Sequence, residues 1–542
     1  MPKISIHDAA AVLFALTLVF VVLFWELGTP TFWDPDEAHY AETSREMIAT
    51  GDWWAPHYNE QPFFDKPVLF HQLQALTMRL VNDPELGARL IPALGALGLI
   101  AVTVWFGSVV VSFDVGLTAG LILAANPGLF ALSRYAILDS LFTFFLFGGC
   151  ATLALAALRG RGGLQWLGYV ALALALLVKG PIALVLAGLT LLMLVAVSSE
   201  LRARLLALNW IGGLALIVTI AAPWFVYMYL RFTDAFVSGY VLDENLRLFA
   251  GSRFSNQPGY GFYLQILIVG MLPWTGLLIG RLIDNLRAEW REERVDAVDV
   301  MLWVWTAVIV GFFTLSTFKL DHYVFPAAPA LCLLCARAWK EPGPAARVGR
   351  HLIGPLLVVA GIAAAYVMMV RLSLPPGAAA VPFAMILCGT ALTLQMLLRP
   401  APRAPWLAVV PMIAVYAGVI VYVMPALEQR KVIPDIASFV AARAQPTDRI
   451  ASYQLNRWTP AYRFYVGRHT TFLDDPDQAV RFFNEPEPFY VVMRRDHYDH
   501  LVARGAPLRV VYEREGMAVT SGRALWRTPE PPVRYVVAVK EQ

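Results

Sequence analysis

The stretch Phe32-Trp33-Asp34-Pro35-Asp36-Glu37-Ala38-His39-Tyr40-Ala41-Glu42 places three carboxylates, Asp34, Asp36 and Glu37, within four residues, directly after the first long apolar run. Carboxylates so placed can orient or deprotonate a nucleophile. They can also simply start a helix: Asp34 as N-cap, Pro35 at the first helical position and Glu37 three residues after the cap make a capping box, with Gly51 as the stop. That second account covers Asp34 and Glu37 and leaves Asp36 a helix-dipole role of about 0.3 to 1 kcal/mol. On the residues alone both readings of Asp36 stay open. Further on, Asp65-Lys66-Pro67 presents an ammonium that can hold a phosphate as a point charge or snorkel beside Asp65. Other charges stand at the ends of apolar runs: Arg134 and Asp139, Lys179 before Gly180-Pro181, and Lys319 in Lys319-Leu320-Asp321-His322-Tyr323. Ionisable residues near membrane depth are costly and tend to be functional. Each has a bland alternative, since loop ends are wet and Arg134 can pair with Asp139.

The elements that must carry these groups follow from composition. Of 542 residues, 58% are hydrophobic and 15% charged, with a mean hydropathy of +0.57. A soluble globular protein carries nearer a quarter charged residues, so lipid is the main solvent of this chain. The formal net charge of +3, with basic residues in short loops, excludes a nucleic-acid partner. The run from Ala9 to Leu27 can cross a ~30 Å hydrocarbon core and has no cleavage site after it, so it reads as a retained first span. Runs starting near Leu86, Val115, Ser140, Leu164, Pro181, Trp210, Tyr260, Val300, Tyr323, Leu352, Val381 and Trp406 bring the expected number of crossings to about thirteen. No repeat of helix pairs is visible, against the inverted repeats of many transporters. All four cysteines lie in apolar runs. Cys332 and Cys335 have redox spacing inside an expected span, where they read as small packing residues.

Orientation follows from the loops. Arg159/Arg161, Arg202/Arg204, Arg281/Arg287/Arg291/Arg294, Arg337/Lys340/Arg347/Arg350 and Arg399/Arg403 fall on alternate crossings, which makes that side cytoplasmic and places the amino terminus there. The polar loop 28–84, with interfacial helices, and the tail 428–542 are then expected in the periplasm of a bacterial inner membrane. The tail alternates in Phe489-Tyr490-Val491-Val492-Met493 and Leu508-Arg509-Val510-Val511-Tyr512, with turn signals at Asn484-Glu485-Pro486 and Arg504-Gly505, and reads as an α+β domain after a membrane domain spanning 1–427. With this topology Asp36, Lys66, Asp139, Lys179 and Lys319 converge on the exported face. A pocket of cations and carboxylates there suits transfer from a prenyl phosphate: cations stabilise the departing phosphate and a carboxylate handles the acceptor.

The motifs Asp36-Glu37-Ala38-His39-Tyr40-Ala41-Glu42, Gly51-Asp52-Trp53, Asp65-Lys66-Pro67, Arg134 to Asp139, Lys179-Gly180-Pro181, Glu244-Asn245-Leu246-Arg247-Leu248-Phe249 and Lys319 to Tyr323 resemble, in order, those of the integral-membrane GT-C glycosyltransferases related to the lipid A aminoarabinose transferase and the protein O-mannosyltransferases. The resemblance implies a polytopic α-helical GT-C membrane fold with a periplasmic tail, and an inverting transfer from an undecaprenyl-phosphate-linked sugar to lipid A or another envelope glycan. It implies Asp36 as principal catalytic carboxylate, Glu37 and Asp139 as supporting acids, and Lys66 with Tyr323 on the carrier phosphate. Arg134, Lys179 and Lys319 join that phosphate set as cations on the same face. Where aminoarabinose transferases tend to carry Glu-His this chain has Glu244-Asn245, Asp65 replaces the usual Glu, and Asp321 stands where the family favours Pro. Asn is a poorer ligand than imidazole, so these departures bear on whether Asp65 and Glu244 hold a divalent cation and on aminoarabinose specificity. A protein O-glycosyltransferase of the same fold, a transporter or flippase for lipid-linked glycans, and a non-catalytic envelope protein are the competing expectations. The charges gathered at one face favour an enzyme over a transporter.

Overall fold

The computed structural model describes residues 6–251, 258–293, 295–398, 405–455, 459–516 and 532–541. Among them seven helices are long and apolar enough to cross a bilayer: Pro84–Val110, Asp139–Arg159, Trp210–Arg247, Ala297–Leu315, Ile353–Arg371, Pro376–Leu398 and Trp406–Glu428. Two further apolar runs are bent pairs, Phe113–Ala124 with Pro127–Ser133 at 62° and Phe262–Gly270 with Thr275–Trp290 at 114°, and Phe14–Leu23, Leu164–Lys179 and Ile182–Val197 are shorter apolar helices. The expectation of about thirteen crossings counted each run of ~20 apolar residues once, so the number is approximate. At the first bend the Asn126 side chain accepts the Leu129 amide at 3.1 Å, capping a new helix at Pro127, which has no amide hydrogen to continue the old one. Large apolar side chains such as Leu192, Ile211, Leu230, Phe383 and Leu397 are exposed along these helices, as surfaces solvated by lipid tails are.

Basic residues expected in loops are partly committed to ion pairs. Asp299, near the start of Ala297–Leu315, is bound by Arg281 at 2.6 Å and Arg337 at 2.7 Å. Arg294, Arg399 and Arg403 lie outside the described residues. Cys332 and Cys335 are buried free thiols, in keeping with packing.

Besides a two-residue ladder of β1 (His57–Tyr58) and β2 (Gln61–Pro62), the strands form one sheet in the tail. It is built from β3 (Arg449–Tyr453), β4 (Thr471–Leu473), β5 (Phe489–Arg494), β6 (Leu508–Gly516) and β7 (Val533–Lys540), in the order β4-β3-β5-β7-β6. β3 runs parallel to β4 and β5, and β7 antiparallel to β5 and β6. Alternate residues serve two cores, as the two-residue period of a strand requires. Ala451, Val491, Met493, Val536 and Ala538 pack against Phe482, Phe483 and Leu501. Ile450, Val492 and Val537 pack with Ile436, Val440, Tyr462 and Phe464, and that core continues into Phe32, Ala38, Ala41, Ala88 and Ala136. The segment carrying Asp36 is therefore part of the tail's hydrophobic core.

Polar contacts lock the same junction. Arg463, 3% exposed, binds Glu42 at 2.9 Å and Glu46 at 2.6 Å. Tyr465 accepts the Phe32 amide at 2.7 Å and donates to Glu85 at 2.7 Å, and Lys431 donates to the Thr31 carbonyl at 2.6 Å. The capping box expected at Asp34 does not form. The helix runs Asp36–Thr50 with Pro35 before it and no side-chain cap, because the tail takes the Asp34 carboxylate, which accepts the Ala461 amide at 2.8 Å. Glu37 does reach back, accepting the Trp33 amide at 2.9 Å.

Two outcomes follow for stability. Arg463→Met leaves Glu46 buried without its cation and is expected to lower unfolding stability by about 3 to 5 kcal/mol, with Glu46→Gln in the same chain recovering part of it; an unchanged denaturant midpoint for the purified protein in detergent would remove the ion pair from the account. Burial pushes the Asp34 carboxyl up to about 7 from an ordinary 3.8, against the pull of the Ala461 amide and Lys431. The folded state then keeps a proton that the unfolded chain releases, so this contribution is full below the unfolded value and is lost as pH rises through about 7. Asp34→Asn, which retains an acceptor for Ala461, should gain thermal stability over the parent as pH goes from about 5 to 8, and a pH-independent difference would contradict this.

Candidate functional site

Four segments bring the charged residues together. Asp36 opens the helix Asp36–Thr50, Asp139 opens Asp139–Arg159, Lys179 ends Leu164–Lys179, and Asp321 to Tyr323 begin the 3-10 turn Asp321–Ala327. Anions at helix starts and a cation at a helix end suit the helix dipoles. The helix stops after Lys179 because Gly180 adopts φ +93°, where a Cβ would also meet the Tyr240 hydroxyl at 2.4 Å. The Lys179 ammonium is thereby left at the helix end.

Lys179 Nζ lies 2.5 Å from Asp139 Oδ1 and over the rings of Tyr323 at 4.9 Å and Phe142 at 5.1 Å. The second Asp139 oxygen, Oδ2, is 3.7 Å from His322 Nε2, and His322 Nδ1 is 3.2 Å from Asp321 Oδ1. Lys66 donates to the Asp65 carbonyl at 2.9 Å and sits 3.6 Å from Glu244. Its charge and that of His322 both act on Asp139. Asp36 faces this cluster. Burial raises its carboxyl above the ordinary range, and the charge of His322 pulls the other way. His39 is pushed down to about 4, chiefly by burial, so it is neutral at physiological pH. Its ring packs on Tyr58 at 4.2 Å and Phe63 at 5.2 Å.

The structure thus joins Asp36, Lys66, Asp139, Lys179, Glu244 and Tyr323, and separates the others. Glu37 is fully buried on the opposite side, paired with Arg89 at 2.6 Å and accepting the Ala136 amide at 2.9 Å. Its carboxylate orients the segment and does not face the cluster. Arg134 does not pair with Asp139 and is not among the cluster's cations, because its guanidinium donates to the carbonyls of Val22, Trp25 and Glu26. Lys319 donates to the Ser316 carbonyl and lies 5.8 Å from the Tyr260 ring centre. His322 went unweighed in the sequence. It stands inside the Lys319 to Tyr323 stretch, but one histidine beside one aspartate has no informative spacing.

A divalent cation at Asp65 and Glu244 does not fit these residues. The Lys66 ammonium already stands against Glu244, and Asn245 uses its side-chain amide on the Tyr240 carbonyl at 2.7 Å. Among the described residues no group of three or more His, Cys, Asp or Glu side chains is placed to hold a metal.

Comparison with known proteins places this arrangement. A family profile described as dolichyl-phosphate-mannose-protein mannosyltransferase matches residues 11–237. The undecaprenyl phosphate-alpha-4-amino-4-deoxy-L-arabinose arabinosyl transferase of Aeromonas hydrophila is 30% identical over 334 residues, which cover 60% of this chain and 59% of the relative. A transferase of the same description from Sodalis glossinidius is 31% identical over 340 residues, covering 60% and 58%. The matched stretch therefore spans about three fifths of these relatives' length. The crystal structure of ArnT from Cupriavidus metallidurans bound to undecaprenyl phosphate aligns over 98% of both chains with a TM-score of 0.79 at 22% identity. The apo oligosaccharyltransferase of Archaeoglobus fulgidus aligns over 97% of this chain and 75% of its own with a TM-score of 0.53 at 11% identity. This polytopic helical chain with its small C-terminal sheet domain has the GT-C fold and, over part of its length, is similar to the aminoarabinosyl transferases and to the dolichyl-phosphate-mannose-protein mannosyltransferase profile.

Proposed function

We propose that this chain is an inverting glycosyltransferase that moves a sugar from an undecaprenyl (polyprenyl) phosphate carrier to lipid A or another envelope glycan. The observation that carries the reading is a half-buried carboxylate, Asp36, facing the cluster in which Asp139 pairs with Lys179 at a helix end and lies in the field of the Lys66 ammonium. Helix ends let the isoprenoid chain stay in lipid while its phosphate reaches the cations. In this reading residues 1–427 form the catalytic membrane domain, 428–542 a periplasmic domain, and the amino terminus is cytoplasmic.

The step needs a charge change that these residues can accommodate. The bond between the anomeric carbon and the carrier phosphate breaks, its electron pair stays on the phosphate oxygen, and the acceptor oxygen bonds to the opposite face of that carbon. Lys66 and Lys179 stabilise the departing phosphate, with the Tyr323 hydroxyl beside it, and Asp139 holds Lys179 in place. Where the acceptor is a hydroxyl, its proton passes to Asp36, whose raised carboxyl range brings it nearer the operating pH of a general base. Where the acceptor is a phosphate, it is already anionic and Asp36 orients it. The aminoarabinosyl transferases, by their description, use an undecaprenyl-phosphate carrier, which supports the donor class. The mannosyltransferase profile favours a second reading for the acceptor alone, a protein hydroxyl.

Asp36→Asn is expected to cut transfer by about 10²- to 10⁴-fold while the protein still inserts and folds. Mass spectrometry of envelope lipids and glycans from cells lacking the gene, with either form restored, gives the sugar increment directly. A full increment with Asp36→Asn would end the assignment.

A further inference from the structure

The proposed reaction gives His322, which stands against the cluster, no role so far. Its imidazole is held from both sides. Nδ1 faces Asp321 at 3.2 Å, Nε2 faces Asp139 at 3.7 Å, and the ring stands edge-on to Tyr323 at 5.2 Å. The side chain is 14% exposed, and Asp139, which it shares with Lys179, is 4% exposed. A neutral imidazole offers one N–H and so can satisfy one carboxylate, whereas the imidazolium offers two. The ring has a hydrogen bond to Asp321 on one nitrogen and a second carboxylate, Asp139, at ion-pair distance from the other, and two anions on two ring nitrogens favour the cation. The charged groups facing it are Asp36 from its helix, Asp139 and Lys179 from theirs, and Asp321 on its own turn. Burial and Lys179 disfavour its charge, but Asp139 and Asp321 outweigh them, so its pKa lies above the ordinary histidine range. Among the charges that favour an ionised Asp36, that of His322 comes first.

We propose that His322 is a positioning residue for this site, a fixed imidazolium clamped by Asp139 and Asp321 that holds the Asp36 carboxylate in its charged, proton-accepting form next to the carrier phosphate. The inference rests on the glycosyl-transfer reading above. It adds that the site carries a third cation, one whose charge depends on Asp321, the residue standing where the family favours proline. It also fixes the proton balance. The imidazolium neither gains nor loses a proton in the step, and an acceptor hydroxyl's proton ends on Asp36 before release to water. The acceptor class this equips the site for is a neutral hydroxyl, because an anionic phosphate needs no base and would be repelled by a carboxylate kept charged beside it.

The sign of the expected effect is fixed by charge. Removing a cation near a carboxylate makes that carboxylate harder to ionise, so the acidic limb of the pH profile must move to higher pH in His322→Gln and stay in place in His322→Lys. The test adds the purified full-length protein in detergent to a total envelope-lipid extract of the deletion strain, which supplies both donor and acceptor, and follows the sugar increment by mass spectrometry between about pH 5.5 and 9. His322→Gln should lose roughly tenfold more activity at the acidic end than at the alkaline end, the equivalent of a limb moved by about one pH unit, and Asp321→Asn should move it part of the way. Parallel profiles for the parent and His322→Gln, with the same fractional loss at every pH, would overturn the proposal. So would loss in His322→Lys equal to that in His322→Gln, since a packing role would not follow charge. If His322→Gln does not fold, the limb position in Asp321→Asn against the parent decides, with an unmoved limb counting against the proposal. Absence of any increment with the parent protein would instead strike the transfer reading itself.

Discussion

Arg89 and Glu37 form an ion pair with almost no access to solvent, and the position of everything around Asp36 depends on it. Burying two charges costs several kcal/mol per ion and is sustained only when the remaining donors and acceptors are also satisfied. Here they are. Arg89 Nε and Nη2 take the two Glu37 oxygens at 2.6 and 2.9 Å, Nη1 takes the carbonyls of Leu27 and Pro30, and Nη2 that of Thr31. Glu37 in turn accepts the amides of Trp33 and Ala136. One pair thus joins the end of the first apolar helix, the loop after it, the Pro84–Val110 span and the segment before Asp139. With Glu37 pinned inward, Asp36 is a residue earlier on the same helix, turned by roughly 100°, and points to the other cluster.

That cluster obeys the same rule with a different result. Asp139 and Lys179 are somewhat less buried than Arg89 and Glu37, and their remaining valences go to His322, to aromatic faces and to Lys66 through space rather than to backbone carbonyls. Charges whose partners are other side chains can exchange them for a substrate phosphate. Charges locked by carbonyls, such as Arg89 and Arg134, cannot without unfolding their surroundings. The division between framework and site follows from who satisfies each buried charge. The tail adds to the framework through Arg463, Ala461 and Tyr465, which grip the same short loop from the other side.

The membrane class, the small sheet of the tail and the gathering of several charged residues were legible in the sequence because hydropathy and charge at run ends are local signals. Asp36, Lys66, Asp139 and Lys179 could be picked out since an ionisable residue at such a boundary needs a reason. Bends were not legible: hydropathy sums across Asn126-Pro127 as if the run were straight. The partner of Glu37 was not legible, because a capping box and an arginine clamp use the same residue at the same spacing, and only the fold brings Arg89 to it. The backbone carbonyls that take the Arg134 guanidinium and the Lys319 ammonium come from the fold and could not be read from their place at run ends. The grip of Arg463 on Glu42 and Glu46 spans more than four hundred residues of chain, 421 and 417 apart in sequence, and leaves no local trace.

The central claim is that the phosphate of a polyprenyl carrier binds at the Lys66 and Lys179 ammonium groups beside Asp36. An electron cryomicroscopy structure of the protein in nanodiscs with undecaprenyl phosphate addresses it most directly. The account predicts density for the phosphate within ion-pair distance of both ammonium groups, with the isoprenoid leaving between helices into lipid. Phosphate density elsewhere, with the Lys179–Asp139 and Lys66–Glu244 pairs undisturbed and Asp36 remote from it, would contradict the account.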